Sequence, residues 1–250
     1  MTLNRDTNYN ELILAFKNKT AKIGVIGLGY VGLPLALTFA DKGFRVRGFD
    51  VDSEKIIRLM EGRSYIKHIQ DKFVKKHISK GTLTVSYNFS ELTDMMAIII
   101  CVPTPLNQKN EPDLSYLKST VREIAPCLSV GKLVVLESTT YPGCCREIVK
   151  PILEDGGLAS GKDFFLGYSP EREDPGNLKF ETASIPKVIG ADGEKALEIT
   201  KALYDQIVVE TVPVSSMDVA EAVKLTENIF RSVNIALVNE LKVIYDKMGV

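Results

Sequence analysis

Lys224 and Asn228 stand four residues apart and so share one side of a helix-compatible stretch. An ammonium and an amide donor suit negative charge developing on an oxygen. Beside apolar Val223, Leu225, Ile229, Phe230, Val233 and Ile235 they also need polar partners, of which a substrate oxygen is one. The apolar neighbours imply that part of this helix is buried. The plainer reading of the same pattern is an exposed polar stripe continued by Arg231. Three other segments gather polar groups: Pro103-Thr104-Pro105-Leu106, Ser138-Thr139-Thr140-Tyr141-Pro142-Gly143, and the run from Tyr168 to Asn177. Taken singly, prolines and hydroxyls are turn chemistry. The third segment places Glu171, Arg172, Glu173 and Asp174 between prolines, which suits either a surface turn or a site that binds a polar substrate and orders water.

A second kind of chemistry is written in Gly27-Leu28-Gly29-Tyr30-Val31-Gly32, which follows the apolar run Ile23–Ile26 and opens a helical pattern. In that setting GxGxxG reads as a dinucleotide fingerprint. Gly27 serves the tight turn, Gly29 the approach of the pyrophosphate, and Gly32 the packing of helix on strand. The N–H groups of the helix start, from Tyr30 and Val31 onward, face the phosphates. Asp50 ends the next apolar run, about 20 residues on, where a carboxylate accepts hydrogen bonds from a ribose diol and repels a 2′-phosphate, so NAD is expected rather than NADP. Lys55, one helical turn further, is either a contact to the adenosine side or a solvated helix lysine.

These residues need a scaffold, and the chain alternates short apolar runs with helical patterns. Strands are expected at Lys22–Gly27, Arg45–Asp50, Ala97–Val102, Lys132–Glu137, near Phe164–Gly167, at Lys187–Ile189 and at Ile207–Glu210. Helices are expected at Val31–Asp41, Ser53–Met60, Ser115–Leu128, Gly143–Leu153 and Gly193–Tyr204. That order predicts an α/β fold of Rossmann type, a doubly wound parallel sheet whose strand ends carry the polar loops. From Ser215 to Asp246 there is no Gly or Pro, so one helix of about 45–50 Å is expected, of the kind that joins domains, with Gly249 as its cap. The expected division is an N-terminal extension over 1–20, an NAD-binding domain over 21–214 and a long central helix over 215–250.

With 31 basic and 32 acidic residues the chain has no general attraction for nucleic acid or membrane, which points to a small-molecule partner. The four cysteines form no CxxC pair and lie far from both histidines, so no metal site is expected. No apolar run approaches membrane-spanning length, and a reducing cytoplasm fits best. Cys144 and Cys145 sit at a helix start, where the positive end of the helix dipole favours thiolate, although packing is the commoner use of cysteine. Cys101 and Cys127 read as structural. His68 and His77, in a Lys-rich helical stretch, read as surface residues.

Taken together, the motif Gly27 to Pro34, Val102-Pro103-Thr104-Pro105, Glu137-Ser138-Thr139, Pro170-Glu171 and Lys224-Leu225-Thr226-Glu227-Asn228, in that order, resemble the UDP-glucose/GDP-mannose dehydrogenase family from about Lys22 to Val250. The segments from Thr104, Ser138 and Ser169 are similar to those of UDP-N-acetylglucosamine 6-dehydrogenases of surface-polysaccharide synthesis. UDP-glucose, UDP-N-acetylmannosamine and GDP-mannose are the alternative sugars, and a free-standing NAD-binding module is an alternative of another class. The resemblance implies oxidation of the C6 hydroxyl to a uronic acid with two NAD, through an aldehyde or thiohemiacetal and a thioester. It also implies dimerisation through the long helix. By the same resemblance Lys224 stabilises oxyanion charge at C6, Asn228 positions the reacting centre, and Glu171 and Thr139 orient water or assist proton transfer. Thr104 and Thr139 also border the cofactor. The family's cysteine loop and UDP-binding domain lie beyond its long helix and have no counterpart in these residues, so the chain by itself is expected to bind NAD without turning over a sugar. Cys144 and Cys145 depart from the family pattern of small hydroxyl residues.

Overall fold

The computed structural model describes residues 5–171 and 186–250. Its eight strands are β1 (Lys22–Ile26), β2 (Arg45–Phe49), β3 (Leu83–Ser86), β4 (Ala97–Ile100), β5 (Leu133–Leu136), β6 (Phe165–Tyr168), β7 (Lys187–Ala191) and β8 (Thr211–Pro213). They form one sheet in the order β3-β2-β1-β4-β5-β6-β7-β8. Every pairing is parallel except β6 with β7, which departs from the all-parallel expectation. The main helices are α1 (Arg5–Lys17), α2 (Gly32–Asp41), α3 (Ser53–Met60), α4 (Asp71–Lys80), α5 (Ser115–Ile124), α6 (Lys150–Glu154), α7 (Glu194–Tyr204) and α8 (Met217–Met248).

Strands buried on both faces read as unbroken apolar runs, and alternation then divides each run between two cores. Ile99, Leu133 and Val135 enter one core with Phe39 and Leu203, whereas Ile98, Ile100, Val134 and Leu136 enter the other with Leu117 and Leu153. The strand order reverses between β1 and β4, which opens a crevice at the carboxyl ends where polar loops emerge.

Several segments differ from the sequence expectation for identifiable reasons. The polar N-terminal extension contains α1, whose Leu12 and Phe16, four apart, are fully buried, while Tyr9 donates to Glu198 on α7. Ile207–Glu210 is not a strand. The amides of Ile207 and Val208 bond back to the Tyr204 carbonyl at 2.9 and 3.1 Å, so the chain turns off α7 before β8 begins. The stretch expected as one helix from Gly143 starts with a π turn over Cys145–Val149 and continues as α6. Neither β3 nor the 3₁₀ turn Phe89–Asp94 was foreseen. His77 is buried at the end of α4, with Nδ1 2.9 Å from the Thr82 hydroxyl and Nε2 3.5 Å from the Asp41 carboxylate, whereas His68 is exposed as expected. No described helix is long and apolar enough to cross a membrane.

Lys132 turns a charge into scaffolding. Its buried ammonium donates to the carbonyls of Leu92 (3.1 Å), Thr93 (2.6 Å) and Cys127 (3.0 Å), tying the 3₁₀ turns Phe89–Asp94 and Ala125–Cys127 together beside β5. Lys132→Met leaves those carbonyls without their donor and is expected to cost about 1–3 kcal/mol, read as a lower urea midpoint with an unchanged slope.

Candidate functional site

The turn after β1 is built for close approach. Gly27 has φ +87°, and a Cβ there would lie 2.7 Å from the Cys101 carbonyl oxygen. A Cβ on Gly32 would lie 1.9 Å from the Gly27 carbonyl oxygen, so only glycine allows α2 to start against this turn. Around Gly29 no atom stands within 4 Å of such a Cβ, which leaves the outer side of the turn open to a ligand. Asp50 is buried, and its two carboxylate oxygens accept from the Leu28 amide at 2.8 Å and the Asp52 amide at 3.0 Å. Lys55 bonds Asp50 at 3.1 Å and lies 6.0 Å from the centroid of the Tyr65 ring. Tyr65 donates to the Leu28 carbonyl at 2.5 Å, which braces the turn from above. Exposed Tyr30 lies beside His68, their ring centroids 6.3 Å apart, and Val31 is the half-buried residue before α2. Beyond β2 and β3 a cleft of 470 Å³ opens between Val51, Tyr87, Phe89, Thr120 and Glu123. The glycine turn, the acidic residue and the cleft fit a dinucleotide.

The loops after β4 and β5 are tied together. The Thr104 hydroxyl donates to the Thr139 carbonyl at 2.7 Å and Ser138 donates to the Val102 carbonyl at 2.7 Å. The Thr139 side chain is exposed at this edge. Glu171 follows β6 and is buried; Arg172, Glu173 and the rest of that loop to Asn177 lie outside the described residues.

Helix α8 reaches the same edge through a residue that the sequence reading passed over. Glu221 is fully buried and accepts from the amides of Gly143 (2.6 Å) and Cys145 (2.9 Å), with the Thr140 hydroxyl at 3.4 Å. Its carboxylate occupies the start of the Cys145 helix, where free N–H groups attract negative charge. One turn further, Lys224 donates to the backbone carbonyl of Glu171. Burial lowers the Lys224 ammonium below the ordinary lysine range; Glu171 and Glu227 oppose the shift, while Arg231 and Lys187 add to it. Asn228 is half-buried one turn beyond. Thus Lys224, Glu171 and the Thr139–Thr140 loop meet at one edge, while Asp50, Lys55 and the glycine turn flank the crevice beside it.

The cysteine alternative is corrected. Cys144 and Cys145 are fully buried, and burial together with the Glu221 charge raises the Cys144 thiol to about 12 and Cys145 well above its ordinary value. The N–H groups that would favour a thiolate are already taken by Glu221. Two further buried groups gain their partners only in the fold. Lys187 pairs with Glu137 at 3.0 Å, and Tyr204 donates to the other oxygen of Glu137. Their only sequence signal is a glutamate directly after an apolar strand run and a lysine directly before another.

The helix also departs from expectation further along. Among its described residues only Met217, Ala220 and Glu221 are buried, whereas Ile229, Phe230, Val233 and Ile235 are 54–70% exposed. The helix outruns the described part of the domain, and among the described residues nothing covers these side chains.

A sheet reversing beside a glycine turn, with an acidic residue directly after the next strand, defines a dinucleotide-binding domain. The chain belongs to the UDP-glucose/GDP-mannose dehydrogenase family: the family's NAD binding domain matches residues 21–208 and its central domain residues 218–250. Its cofactor is NAD. It is 39% identical to a UDP-N-acetyl-D-glucosamine 6-dehydrogenase from Pseudomonas aeruginosa, over 93% of this chain and 54% of that protein. The structure of a UDP-D-ManNAc dehydrogenase from Pyrococcus horikoshii superposes with a TM-score of 0.84 at 39% identity, over 92% of this chain and 55% of that one. A GDP-mannose dehydrogenase from Pseudomonas aeruginosa gives 0.82 at 28% identity, over 91% and 54%. The chain therefore spans about half the length of the curated relatives it matches.

Burial holds the Glu221 carboxyl above the ordinary glutamate range, against the backbone amides that favour its charge. The unfolded chain thus ionises first, and this group's contribution to stability is complete below the unfolded pKa and is lost as pH rises through the folded one. Thermal denaturation from pH 4 upward is expected to show that decline, and Glu221→Gln is expected to flatten it relative to the parent.

Proposed function

We propose that this chain carries the NAD site and part of the C6 site of an enzyme that oxidises the C6 hydroxyl of a nucleotide sugar to a uronic acid, two hydrides per sugar. UDP-N-acetylglucosamine is the first candidate, and UDP-glucose, UDP-N-acetylmannosamine and GDP-mannose are the alternatives. The single observation that carries the reading is the meeting of Lys224 with Glu171 beside the Thr139 loop, next to the glycine turn. In this reading Gly27, Gly29 and Gly32 admit the pyrophosphate, and the amides from Tyr30 and Val31 onward bind it. Asp50 and Lys55 hold the adenosine ribose, the 470 Å³ cleft takes the adenine, and Thr104 and Thr139 border the nicotinamide.

Bound NAD supplies the hydride acceptor. The Lys224 ammonium stabilises negative charge on the C6 oxygen, and burial strengthens it by excluding water. Asn228 positions the reacting carbon from the same helix face. The Glu171 carboxylate takes or delivers the proton, and the Thr139 hydroxyl orients the water it acts on.

The working unit in this proposal divides into the extension over 1–20, the NAD-binding domain over 21–214 and the central helix over 215–250. A homodimer in the cytoplasm buries the exposed apolar residues of α8. Sugar turnover belongs to the whole enzyme, including a cysteine-bearing UDP-binding domain, so the chain alone binds NAD without oxidising sugar.

Calorimetric titration with NAD tests the cofactor half. Asp50→Asn removes a charged acceptor from the ribose and is expected to weaken NAD about 10–100-fold; unchanged affinity refutes the assignment. For the chemical half, NADH formation is followed with the four sugars in the enzyme expressed from its natural reading frame. Lys224→Met is expected to lower kcat about 10²–10³-fold with little change in the Kd for NAD.

A further inference from the structure

A buried ion pair adds little net stability compared with apolar residues of the same size, so a charge kept inside a sheet asks for a use. Lys187 and Glu137 are such a pair, with side chains 5% and 0% exposed. Glu137 is locked on both oxygens, by Lys187 at 3.0 Å and by the hydroxyl of Tyr204, whose ring centroid lies 5.2 Å from the Lys187 nitrogen. The pair stands at the start of β7, which runs antiparallel to β6 and parallel to β8. Its register with β6 joins Gly167 to Ala191 and Tyr168 to Gly190. Beyond those pairs the Ser169 hydroxyl donates to the Val188 carbonyl at 2.9 Å, so the two segments stay together. Carried forward, that register sets Glu171 opposite Lys187. Glu171 is itself buried, and its backbone carbonyl receives the Lys224 ammonium.

We propose that Lys187 is a positioning residue for this site: its ammonium, anchored from below by Glu137 and Tyr204, faces Glu171 across the β6–β7 register and holds the carbonyl that fixes Lys224. The inference rests on the reading of Lys224 and Glu171 as the groups that handle charge and proton at C6. The electrostatic surroundings agree with the geometry. Glu137 and Glu171 together keep Lys187 charged against burial, with the Cys101 thiol also facing it, while Lys187 in turn faces Lys224 along with Glu171, Glu227 and Arg231.

The test reads Lys224 directly, without NAD or sugar. The folded chain is labelled with acetic anhydride across a pH series, and the extent of acetylation at Lys224 is followed by mass spectrometry. In Lys187→Met the labelling midpoint of Lys224 is expected to rise toward that of an ordinary lysine, because a repelling charge is gone and the released side chain regains water. Its limiting rate is expected to increase severalfold. Lys187→Arg is expected to keep the parent profile. Should Lys187→Met not fold, Glu137→Gln/Lys187→Met removes both charges of the pair, so that Glu137 is not left as a buried unpaired ion, and is expected to show the same shift. A parent-like Lys224 profile in either folded variant overturns the proposal, as does the same shift in Lys187→Arg. Failure of Lys224→Met to slow sugar oxidation would count against the functional reading while leaving this labelling result intact.

Discussion

The carboxylate of Glu221 is the contact on which the arrangement of the site depends. It enters the domain from α8 and takes the first amides of the helical segment at Gly143 and Cys145, with the Thr140 hydroxyl beside it. A helix start leaves several N–H groups without partners, and a buried negative charge is a strong way to satisfy them. The contact fixes the rotation and height of α8 on the sheet edge. Once those are set, the 3.6-residue period brings Lys224 to the Glu171 carbonyl one turn later and Asn228 one turn beyond that. Residues more than fifty positions apart thus become a single polar cluster through one side chain.

The two halves of the crevice solve the same problem by different means. The dinucleotide half exposes backbone donors and adds one carboxylate, so its chemistry resides in glycine positions where a Cβ would collide with the next turn. The half beside α8 keeps charges inside the protein: Glu137 with Lys187, the Lys224 ammonium on the Glu171 backbone carbonyl, and Glu221 against backbone amides. Each is held by hydrogen bonds, as burial requires. This concentration of buried charge at the strand ends, above two apolar cores, lets a rigid sheet present groups whose protonation differs from that in water.

Much of this was legible in the chain before folding is considered. Burial of β1, β2, β4 and β5 on both faces demands unbroken apolar runs, and the glycine spacing after Ile26 has few other uses, so the sheet and the dinucleotide turn could be read locally. Helix α1 escaped because, among its residues whose burial is described, only Leu12 and Phe16 are deeply buried, and β3 because four residues carry too little pattern. Ile207 and Val208 look like a strand start, yet their amides close a turn on Tyr204. His77 was misread because its Lys-rich neighbours suggest a solvated helix, and only packing shows that its own face points inward.

The sequence by itself determined the α/β alternation, the NAD turn with Asp50, and the candidacy of Thr104, Thr139, Glu171, Lys224 and Asn228, because each rests on spacing along one element or one loop. Tertiary structure alone decided that Glu221 and Lys187 are buried against distant partners, that Cys144 and Cys145 are buried thiols, and that β7 runs against β6. Those facts depend on which groups desolvate one another across elements distant in the chain. Charge, burial and hydrogen bonding between such elements leave no periodic trace in the order of residues, since the same Glu or Lys is written alike whether it faces water or the inside of a sheet.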